Sequence, residues 1–562
     1  MADRDTVIDR FFGDNTTPIE WADEQEKKLH FWLDDLHCPQ PISPMYFDIG
    51  GWWLTCDYMF RRFGVPFGKD WVAKNIEGYV HSALVPRDPG EASKLGAYYN
   101  MVMPVYADKF LGWWHRRYLP EIQRNFEYLD SFPMAGSSLP ELMILLEDAI
   151  EIQERHFRLH WMLNLAQFQS SLNFGSLLAK IVGESHEELA GRILVSDEDR
   201  NWDSIRELWK LKEAARASQV ITAAFTETSA ESVTAALGQA AEGRDFLARL
   251  DAYKNEYGHK SMWAHEYIYP TWRENPTPII EAIRGYLASG YDYEKDVRQL
   301  RESRDAAIRD MWARVPDDTP QAEKDSLQAA LDLALKMAPL TPDHHFYMDQ
   351  GTYARVRTVL MEVGRALTER GVLEQPDDVM FLRYDELRAL SADATAFAAD
   401  ELIAGRRRAR QEAYKVRPRL WAGTITHWSL YEEPYKQSMG GWPGIYERSK
   451  AAAQPSGILR GLGASAGVVE GVARVVDSAQ EFDQVQKGEL LICRMTSPAW
   501  VVLFTKIGGL VTDSGGALSH PAVVSREFGI PAVVGTRVAT QMIKSGQRVR
   551  VDGGTGVVEI LN

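Results

Sequence analysis

The residues best suited to chemistry lie in one stretch near the C-terminal end, centred on His520. An apolar run at 508–512 leads into a glycine turn, and a helical pattern begins near His520 and ends at Gly529, with Pro531 just beyond. A histidine at a helix N-terminus lies beside backbone N–H groups that favour bound anions. A neutral imidazole there can attack a phosphoryl group, hold it covalently and pass it on. The alternative for a single histidine is a structural role beside a tight turn.

This stretch resembles the phosphohistidine swivelling domain of the phosphoenolpyruvate-utilising enzymes. In that family a glycine pair precedes the phosphorylated histidine, and Gly-Ile-Pro-Ala-Val-Val-Gly follows its helix. The matching residues are Gly515, Gly516, Ser519, His520, Arg526, Glu527, Gly529, Ile530, Pro531 and Gly535. The resemblance implies that His520 becomes phosphorylated. It also implies that the phosphate is bound by Gly515, Gly516, Ser519 and Arg526.

A second group of polar and aromatic side chains lies in the segment 256–276. The side chains with chemical potential there are His259, Lys260, Trp263, His265, Glu266 and Arg273. The layout resembles a segment in the substrate domain of rifampin phosphotransferase-like proteins, although Thr271-Trp272-Arg273 is not an exact copy. The resemblance implies that the segment contacts the acceptor substrate, and Lys260 or Arg273 would offset charge on the phosphoryl oxygens. The alternative is a polar turn with aromatic packing.

A third group lies at 342–350, which reads Pro-Asp-His-His-Phe-Tyr-Met-Asp-Gln. It resembles a signature of the phenylphosphate synthase and rifampin phosphotransferase-like substrate domains, with His345 in place of their usual asparagine. Asp343 beside His344 suits a general base with an orienting carboxylate, and such a base contributes about 10²–10⁴-fold. His259 is the other candidate base. The alternative is a helix-capping Asp343 with flanking surface histidines.

A long helix is predicted to begin at Ser138, because Ser138 and Glu141 form a capping-box pattern. One face of this helix carries His156 and His160 within an otherwise apolar stripe. A buried network of polar groups is one interpretation of this pattern, and an edge of the substrate site is another. The spacing of four also permits two metal ligands, but no third ligand is evident nearby, so we predict no metal.

The predicted fold class is multidomain α plus α/β. Residues 1–450 should form a large, mainly α-helical and aromatic-rich substrate-binding domain, possibly subdivided near residue 130. Residues 451–458 read as a linker, and 459–562 as the small β/α swivelling domain. Residues 1 to about 130 look mostly helical, and paired tryptophans such as Trp52-Trp53 should pack in the core or line an aromatic pocket.

Bulk composition restricts the partners. The formal net charge is −16 and the isoelectric point is near 5.4, which argues against nucleic acid or an anionic membrane as a partner. Three cysteines without metal spacing argue against a disulfide framework. The sequence shows neither a signal-peptide pattern nor a membrane-spanning run, so we expect a cytoplasmic protein.

The arrangement of segments favours one type of phosphotransferase. The sequence has no P-loop pattern and no glycine-rich nucleotide-binding region. A substrate domain followed by a swivelling domain resembles the larger subunit of phenylphosphate and 4-methylphenyl (cresyl) phosphate synthases. That resemblance implies a partner ATP-grasp subunit that binds ATP and Mg²⁺, and a small phenolic acceptor. Two alternatives are a larger hydroxylated acceptor, such as a rifamycin-like antibiotic, and a phosphocarrier that acts on no small molecule.

Overall fold

The structure is a computed structural model, and it describes most of the chain. The residues outside the description are 1–17, 35–36, 39, 184–185, 290, 416–417, 420, 425–456, 477–478, 497–499, 505, 514, 516–518, 537 and 562. The chain divides into two compact units. The first unit contains Met1–Gln169, Ala264–Tyr269 and Tyr347–Ser449, and the second contains Ser170–Trp263, Pro270–Phe346 and Lys450–Asn562. The predicted linker at 451–458 lies almost entirely outside the described residues.

Helices make up most of the described secondary structure. In chain order they are α1 Asp57–Phe63, α2 Pro89–Trp113, α3 Leu119–Ser131, α4 Leu139–Val182, α5 His186–Ile193, α6 Arg200–Arg216, α7 Gln219–Glu227, α8 Val233–Gly238, α9 Ala241–Tyr257, α10 Thr277–Ser289, α11 Tyr293–Arg314, α12 Gln321–Met337, α13 Leu340–His344, α14 Tyr353–Glu369, α15 Tyr384–Ala392, α16 Ala399–Ala413, α17 Val501–Phe504, α18 His520–Glu527 and α19 Ala539–Met542. Stretches of π-helix occur at Tyr46–Gly50, Trp114–Tyr118 and His345–Thr352.

The strands form two sheets. In chain order they are β1 His30–Leu33, β2 Asp70–Ile76, β3 Tyr79–Val85, β4 Trp421–Gly423, β5 Ile458–Arg460, β6 Leu462–Ser465, β7 Val468–Val475, β8 Leu490–Cys493, β9 Gly509–Thr512, β10 Ala532–Val534, β11 Arg548–Asp552 and β12 Val557–Ile560. The fold class is therefore the predicted one, a multidomain chain that is mainly helical and ends in an α/β region.

The first unit contains a sheet with the strand order β2-β3-β1-β4, in which all neighbours are antiparallel. The described residues up to about 130 are mostly helical, as predicted, but three of these strands lie among them and were not predicted. Strands β2 and β3 form a hairpin through Glu77 and Gly78, both with positive φ (57° and 91°). A two-residue turn of this kind matches the twist of the strands, but it usually carries Asn-Gly or Asp-Gly. Because this turn carries Glu77-Gly78 instead, the sequence did not indicate a hairpin here.

Aromatic rings fill the core of the first unit. Trp52 contacts three other tryptophans edge-on, with ring centroids 5.8 Å from Trp53, 5.6 Å from Trp71 and 5.7 Å from Trp161. All four side chains are buried. Edge-to-face pairs of this kind stabilise the fold by about 0.5–1.5 kcal/mol each beyond their area burial. The tryptophans therefore pack in the core, as one of the two sequence interpretations proposed.

The second unit joins a helical part to a sheet. Helices α5, α11 and α12 pack with the end of α4 around buried Phe174, Leu178 and Met311. The sheet has the strand order β5-β12-β11-β7-β8-β9-β10-β6. Strands β7, β8, β9 and β10 are mutually parallel, and the remaining pairs are antiparallel. The parallel part places the carboxyl ends of β8 and β9 at one edge, where open α/β sheets bind ligands.

The predicted capping box of the long helix is confirmed. At the start of α4 the backbone N–H and the hydroxyl of Ser138 both donate to Glu141, at 2.7 and 2.6 Å. Cys38, Cys56 and Cys493 are buried, and none of them forms a disulfide. Among the described residues, no helix combines the length and the apolar character needed to cross a membrane.

Candidate functional site

The candidate carrier residue His520 is the first residue of helix α18, which connects the parallel neighbours β9 and β10. Strand β9 ends at Thr512, so the turn before α18 lies at the carboxyl edge of the sheet. The first turn of a helix presents backbone N–H groups and a partial positive charge, which together favour a phosphate. The described strand β9 and helix α18 therefore flank the region before His520 as predicted.

Two glycines shape the turn before His520. Gly515 has φ +118°, and a Cβ at this position would lie 2.6 Å from Ser519 Oγ. Gly535, just after β10, has φ +70°, and its added Cβ would lie 2.8 Å from the carbonyl oxygen of Gly515. Both positions therefore require glycine for conformation and for space. Gly516 lies outside the described residues, as do the side chains of His520 and Arg526.

Hydrogen bonds hold the carboxyl end of β9 in place. The backbone N–H of Asp513 donates to Cys493 O at 3.1 Å, and Asp513 Oδ1 accepts from the Thr540 N–H at 2.9 Å. Thr536 donates to the Thr512 carbonyl through its N–H at 3.0 Å and its hydroxyl at 2.9 Å. These bonds tie the end of β9 to β8, to α19 and to the residues directly after β10.

We expect Gly515→Ala to slow phosphorylation of His520 by about tenfold or more, because backbone strain of this kind costs about 1–3 kcal/mol and the turn must also move away from Ser519. The matched control is Gly546→Ala. Gly546 also has positive φ (+93°), but its added Cβ would meet nothing within 4 Å. Labelling with phosphoramidate, a small chemical donor, measures the rate without a partner protein. Equal rates in the two variants would contradict the role of the turn.

The far end of α18 contacts the helical part of the same unit. Phe528, directly after the helix, lies with its ring 5.8 Å from Tyr286 of α10 and 5.8 Å from Phe504 of α17. Tyr286 in turn stacks on Tyr291 at 4.5 Å. The helix that begins at His520 is thus held at its other end by aromatic packing on α10.

The segment 256–276 folds back on itself in the second unit. The Trp272 N–H donates to Lys260 O and the Arg273 N–H to Gly258 O, each at 2.8 Å, and Ser261 pairs with Thr271. Lys260 Nζ donates to Ser204 Oγ at 3.2 Å and lies 5.4 Å above the Trp272 ring.

The other cation predicted to contact phosphoryl oxygens is also held by the protein. The Arg273 guanidinium donates to the Asn255 carbonyl. Trp263, another predicted substrate contact, is buried, and its backbone carbonyl accepts a hydrogen bond from the Ser261 hydroxyl at 2.9 Å. The described contacts of Lys260 and Arg273 are therefore structural.

His259 lies in a small cationic and aromatic cluster of the second unit. It is buried, and its ring lies edge-on to Phe346 at 4.4 Å. Arg200 lies over the same Phe346 ring at 4.4 Å and over Tyr257 at 5.2 Å. The guanidinium of Arg200 also pairs with Asp203 at 3.1 Å and with Glu256. Sequence reasoning missed Arg200, since only the fold places it against residues more than fifty positions away.

Asp343 does not orient His344 in the way that their adjacency suggested. His344 is buried, and its Nδ1–H donates to the Leu340 carbonyl at 3.0 Å. This bond places the lone pair of the neutral ring on Nε2, so the imidazole keeps the tautomer of a base. The alternative interpretation placed both histidines on the surface. His344 is not a surface histidine, whereas His345 is exposed.

The Asp343 carboxylate caps another helix. Asp343 accepts from the Arg200 backbone N–H at 2.9 Å, at the first residue of α6, where the Asp199 carboxylate also accepts two backbone N–H groups. Burial raises the pKa of Asp343 to about 7 and that of Asp199 to about 6. Asp343 is therefore a half-buried helix-capping acid with an unusual affinity for its proton.

Family comparisons match two parts of the chain. Residues 485–556 match the PEP-utilising enzyme mobile domain, which covers β8 to β11 and includes His520. Residues 160–341 match the rifampicin phosphotransferase fourth domain. The chain is related to the rifampicin phosphotransferases. These matches confirm the coarse resemblance inferred from the sequence.

Curated relatives support the same relationship at low identity. The chain is 32% identical to a rifampicin phosphotransferase of Streptomyces over 57% of this chain and 35% of that protein. It is 26% identical to the uncharacterized phosphotransferase YvkC of Bacillus subtilis over 95% of this chain and 62% of that protein. It is 27% identical to a chondramide synthase of Chondromyces crocatus over 97% of this chain and 14% of that protein. The chain thus spans less than two thirds of the length of each relative.

His156 belongs to a buried network in the first unit. Its Nε2 lies 3.1 Å from the Asn125 amide nitrogen, and its Nδ1 lies 2.8 Å from Thr352 Oγ1. Burial and the charges of Arg155 and Arg355 lower its pKa to about 3, so the ring is neutral. We therefore replace the predicted substrate contact of His156 with the interior-network interpretation.

His160 lies one turn further along α4 and is also buried. Its Nδ1 faces the Asp349 carboxylate at 3.2 Å, and its Nε2 lies 2.8 Å from the Asn164 amide nitrogen. The ring stacks on Phe157 at 5.2 Å. These contacts give His160 a fixed position between a carboxylate and an aromatic ring.

Glu266 is a structural acid. Its carboxylate accepts from the backbone N–H and the hydroxyl of Ser43, both at 2.6 Å, and from the Ile268 N–H at 3.2 Å. These bonds join the segment 264–269 to the start of the chain. The predicted substrate contact of Glu266 therefore has no support in its described bonds, which are all internal.

His265 is half-buried among aromatic rings of the first unit. Its Nδ1 lies 3.4 Å from the Tyr46 hydroxyl, and its ring lies 5.4 Å from Tyr353, 6.3 Å from Phe157 and 5.7 Å from His37. It therefore borders an aromatic cluster that also contains a second histidine.

That second histidine forms a pair that sequence reasoning missed. Asp34 Oδ1 accepts from His37 Nδ1 at 2.9 Å, and Asp34 Oδ2 accepts from Trp52 Nε1 at 2.7 Å. Burial acts to raise the pKa of Asp34, but the charge and hydrogen bonds of His37 and the bond from Trp52 lower it overall, so the carboxylate is ionised. An Asp three residues before a His, directly after strand β1, was the available signal.

Proposed function

We propose that this chain is the carrier and transfer part of an ATP-dependent phosphotransferase that phosphorylates a phenolic hydroxyl. The observation that carries the proposal is the placement of His520 at the first residue of α18, after a glycine turn, within the segment that matches the PEP-utilising mobile domain. The finer parts of the proposal, the donor and the acceptor, rest on the resemblance to phenylphosphate synthases.

The first half-reaction loads His520. A partner ATP-grasp protein binds ATP and Mg²⁺, the β-phosphate moves to the imidazole, and AMP and inorganic phosphate leave with the consumption of one water molecule. In this chain the backbone N–H groups at the start of α18 stabilise the charge that develops on the phosphoryl oxygens. Gly515 keeps the turn open, since a side chain there would collide with Ser519.

The second half-reaction passes the phosphoryl group to the acceptor. The hydroxyl oxygen of the acceptor attacks phosphorus, the N–P bond to His520 breaks, and its electron pair returns to the imidazole. A loose transition state of this kind needs positioning and charge stabilisation more than covalent help. Aromatic side chains such as those around His265 suit a planar phenol.

A transfer assay tests this proposal. The protein is loaded with phosphoramidate, the excess donor is removed, and phenol, 4-cresol or rifampicin is added. We expect loss of phosphohistidine at His520 and the appearance of phenyl or cresyl phosphate, measured by ³¹P NMR and mass spectrometry. Transfer to rifampicin alone would establish the larger-acceptor alternative. Loading without transfer to any compound would overturn the transferase half and favour a phosphocarrier.

A further inference from the structure

The first unit contains a carboxylate–imidazole pair with the hydrogen-bond pattern of a general base. The Asp34 side chain accepts from both the ring Nδ1 and the backbone N–H of His37, at 2.9 and 3.1 Å. The Trp52 indole fixes the second carboxylate oxygen at 2.7 Å, and the Asp34 N–H donates to Val80 O of strand β3 at 2.9 Å. Three hydrogen bonds, two from His37 and one from Trp52, therefore fix the Asp34 carboxylate, and the carboxylate in turn orients the His37 ring.

The pair has a directed geometry. Because Asp34 accepts only, the proton of a neutral His37 lies on Nδ1 and the lone pair lies on Nε2. The Asp34 side chain is 0% exposed, whereas the His37 side chain is 18% exposed. The carboxylate is thus sealed in the protein while the ring it orients is accessible, which is the arrangement that a substrate-facing base requires.

Aromatic groups surround the exposed ring. The His37 ring lies 5.3 Å from Trp52 and 5.7 Å from His265, which is itself 5.4 Å from Tyr353. Among the described residues, the titratable groups near His37 include Asp34 and the adjacent Cys38 on its own segment and His265 on the segment 264–269. A planar hydroxylated ring would find flat apolar surfaces here beside a proton acceptor.

We propose that His37, positioned by Asp34, is the general base that deprotonates the acceptor hydroxyl; this inference rests on the proposed function. His37 Nε2 takes the hydroxyl proton while the acceptor oxygen forms its bond to phosphorus and the N–P bond of phosphorylated His520 breaks. The imidazolium of His37 then returns its proton to solvent. His37 is the catalytic residue of this step, and Asp34 is a positioning residue.

The test uses the full chain loaded with phosphoramidate and chased with 4-cresol. His37→Asn keeps a side-chain N–H that can donate to Asp34 but removes the Nε2 base. We expect the rate of cresol-dependent loss of phosphohistidine to fall about 10²–10⁴-fold, the range for removal of a general base. Loading of His520 and its slow hydrolysis without cresol should not change. His115→Asn, at an exposed histidine, is the matched control.

The possible outcomes separate the inference from the proposed function. Cresol transfer by His37→Asn within about threefold of wild type would overturn the role of His37 and leave the proposed function standing, since a lost base costs at least about a hundredfold. Failure of the wild-type protein to transfer to any acceptor would overturn both. Slow transfer only in His37→Asn supports both.

A second variant covers the case in which His37→Asn fails to fold. Asp34→Asn keeps the shape of the side chain but removes the anion that stabilises the imidazolium formed when His37 takes the hydroxyl proton. The maximal rate of cresol transfer should therefore fall about tenfold or more, while the KM for cresol and the loading of His520 change little. A purely structural role would impair loading and cresol binding as well, and an unchanged maximal rate would contradict the positioning role of Asp34.

Discussion

Replacing His520 with alanine is expected to abolish phosphorylation of this chain and every transfer that depends on it. In the proposed function the imidazole is the nucleophile of the loading step, and alanine has no atom that could hold the phosphoryl group. Alanine is the most favourable residue in a helix, so α18 should still form and the free energy of unfolding should change by less than about 1 kcal/mol. Intact-mass measurement after phosphoramidate treatment, with peptide mapping, measures the loss.

The control for this variant is His115→Ala, because His115 is exposed on the π-helical turn Trp114–Tyr118 of the first unit. It should be loaded at His520 like the wild type. The structural alternative for His520 predicts the reverse pattern, a large loss of stability with phosphorylation retained elsewhere. Wild-type labelling in His520→Ala would contradict the carrier role.

Replacing Asp343 with asparagine is expected to stabilise the protein at pH 8 by about 3–4 kcal/mol. Burial raises the pKa of Asp343 from its usual 3.8 to about 7, so its ionised form is disfavoured in the folded state at pH 8. Each unit of such a shift corresponds to about 1.4 kcal/mol. The loss of an anion at the start of α6 offsets about 0.3–1 kcal/mol of the gain. Asparagine can still accept from the Arg200 N–H.

The sign of the pH dependence follows from the same shift. Below about pH 4 the Asp343 carboxyl is protonated in both the folded and the unfolded chain, and its contribution to stability is fully present. As pH rises through about 7 that contribution is lost, because the unfolded chain releases the proton first. The difference between Asp343→Asn and wild type should therefore be large at pH 8 and small near pH 4.

Chemical denaturation at a series of pH values measures this difference. Asp332→Asn, at an exposed acid on α12, is the matched control and should show a change within about 0.5 kcal/mol at each pH. Destabilisation by Asp343→Asn at pH 8 would contradict the account, since it would mean that the ionised carboxylate contributes to folding there.

Local signals explain why part of the fold was predictable. Strand β9 and helix α18 follow from patterns within fewer than twenty residues: an apolar run, a helical period, and a glycine with proline beyond it. The sheet of the first unit was missed because its pairing is not local. Strand β1 pairs with β4, almost four hundred residues along the chain, and neither strand exceeds four residues.

The candidate site was predictable only where a motif is continuous. His520 and Gly515 lie in one motif, and the backbone there has the predicted arrangement. His344 and Asp343 are adjacent in sequence, but their hydrogen bonds go to Leu340 and to the start of α6. The spacing of Asp34 and His37 was a weak signal by itself, because the environment that gives the pair its geometry comes from Trp52 and from the segment around His265. The burial of these side chains and the tautomers of the histidines depend on tertiary contacts, which the local sequence does not show.

The measurement that tests the central claim most directly uses ATP labelled at the β-phosphate, with and without a co-expressed ATP-grasp partner, followed by mass mapping of the labelled residue. The account predicts label on His520 in the presence of the partner, and its transfer to 4-cresol as cresyl phosphate. Label on another residue, or no label on His520 with an active partner, would contradict it.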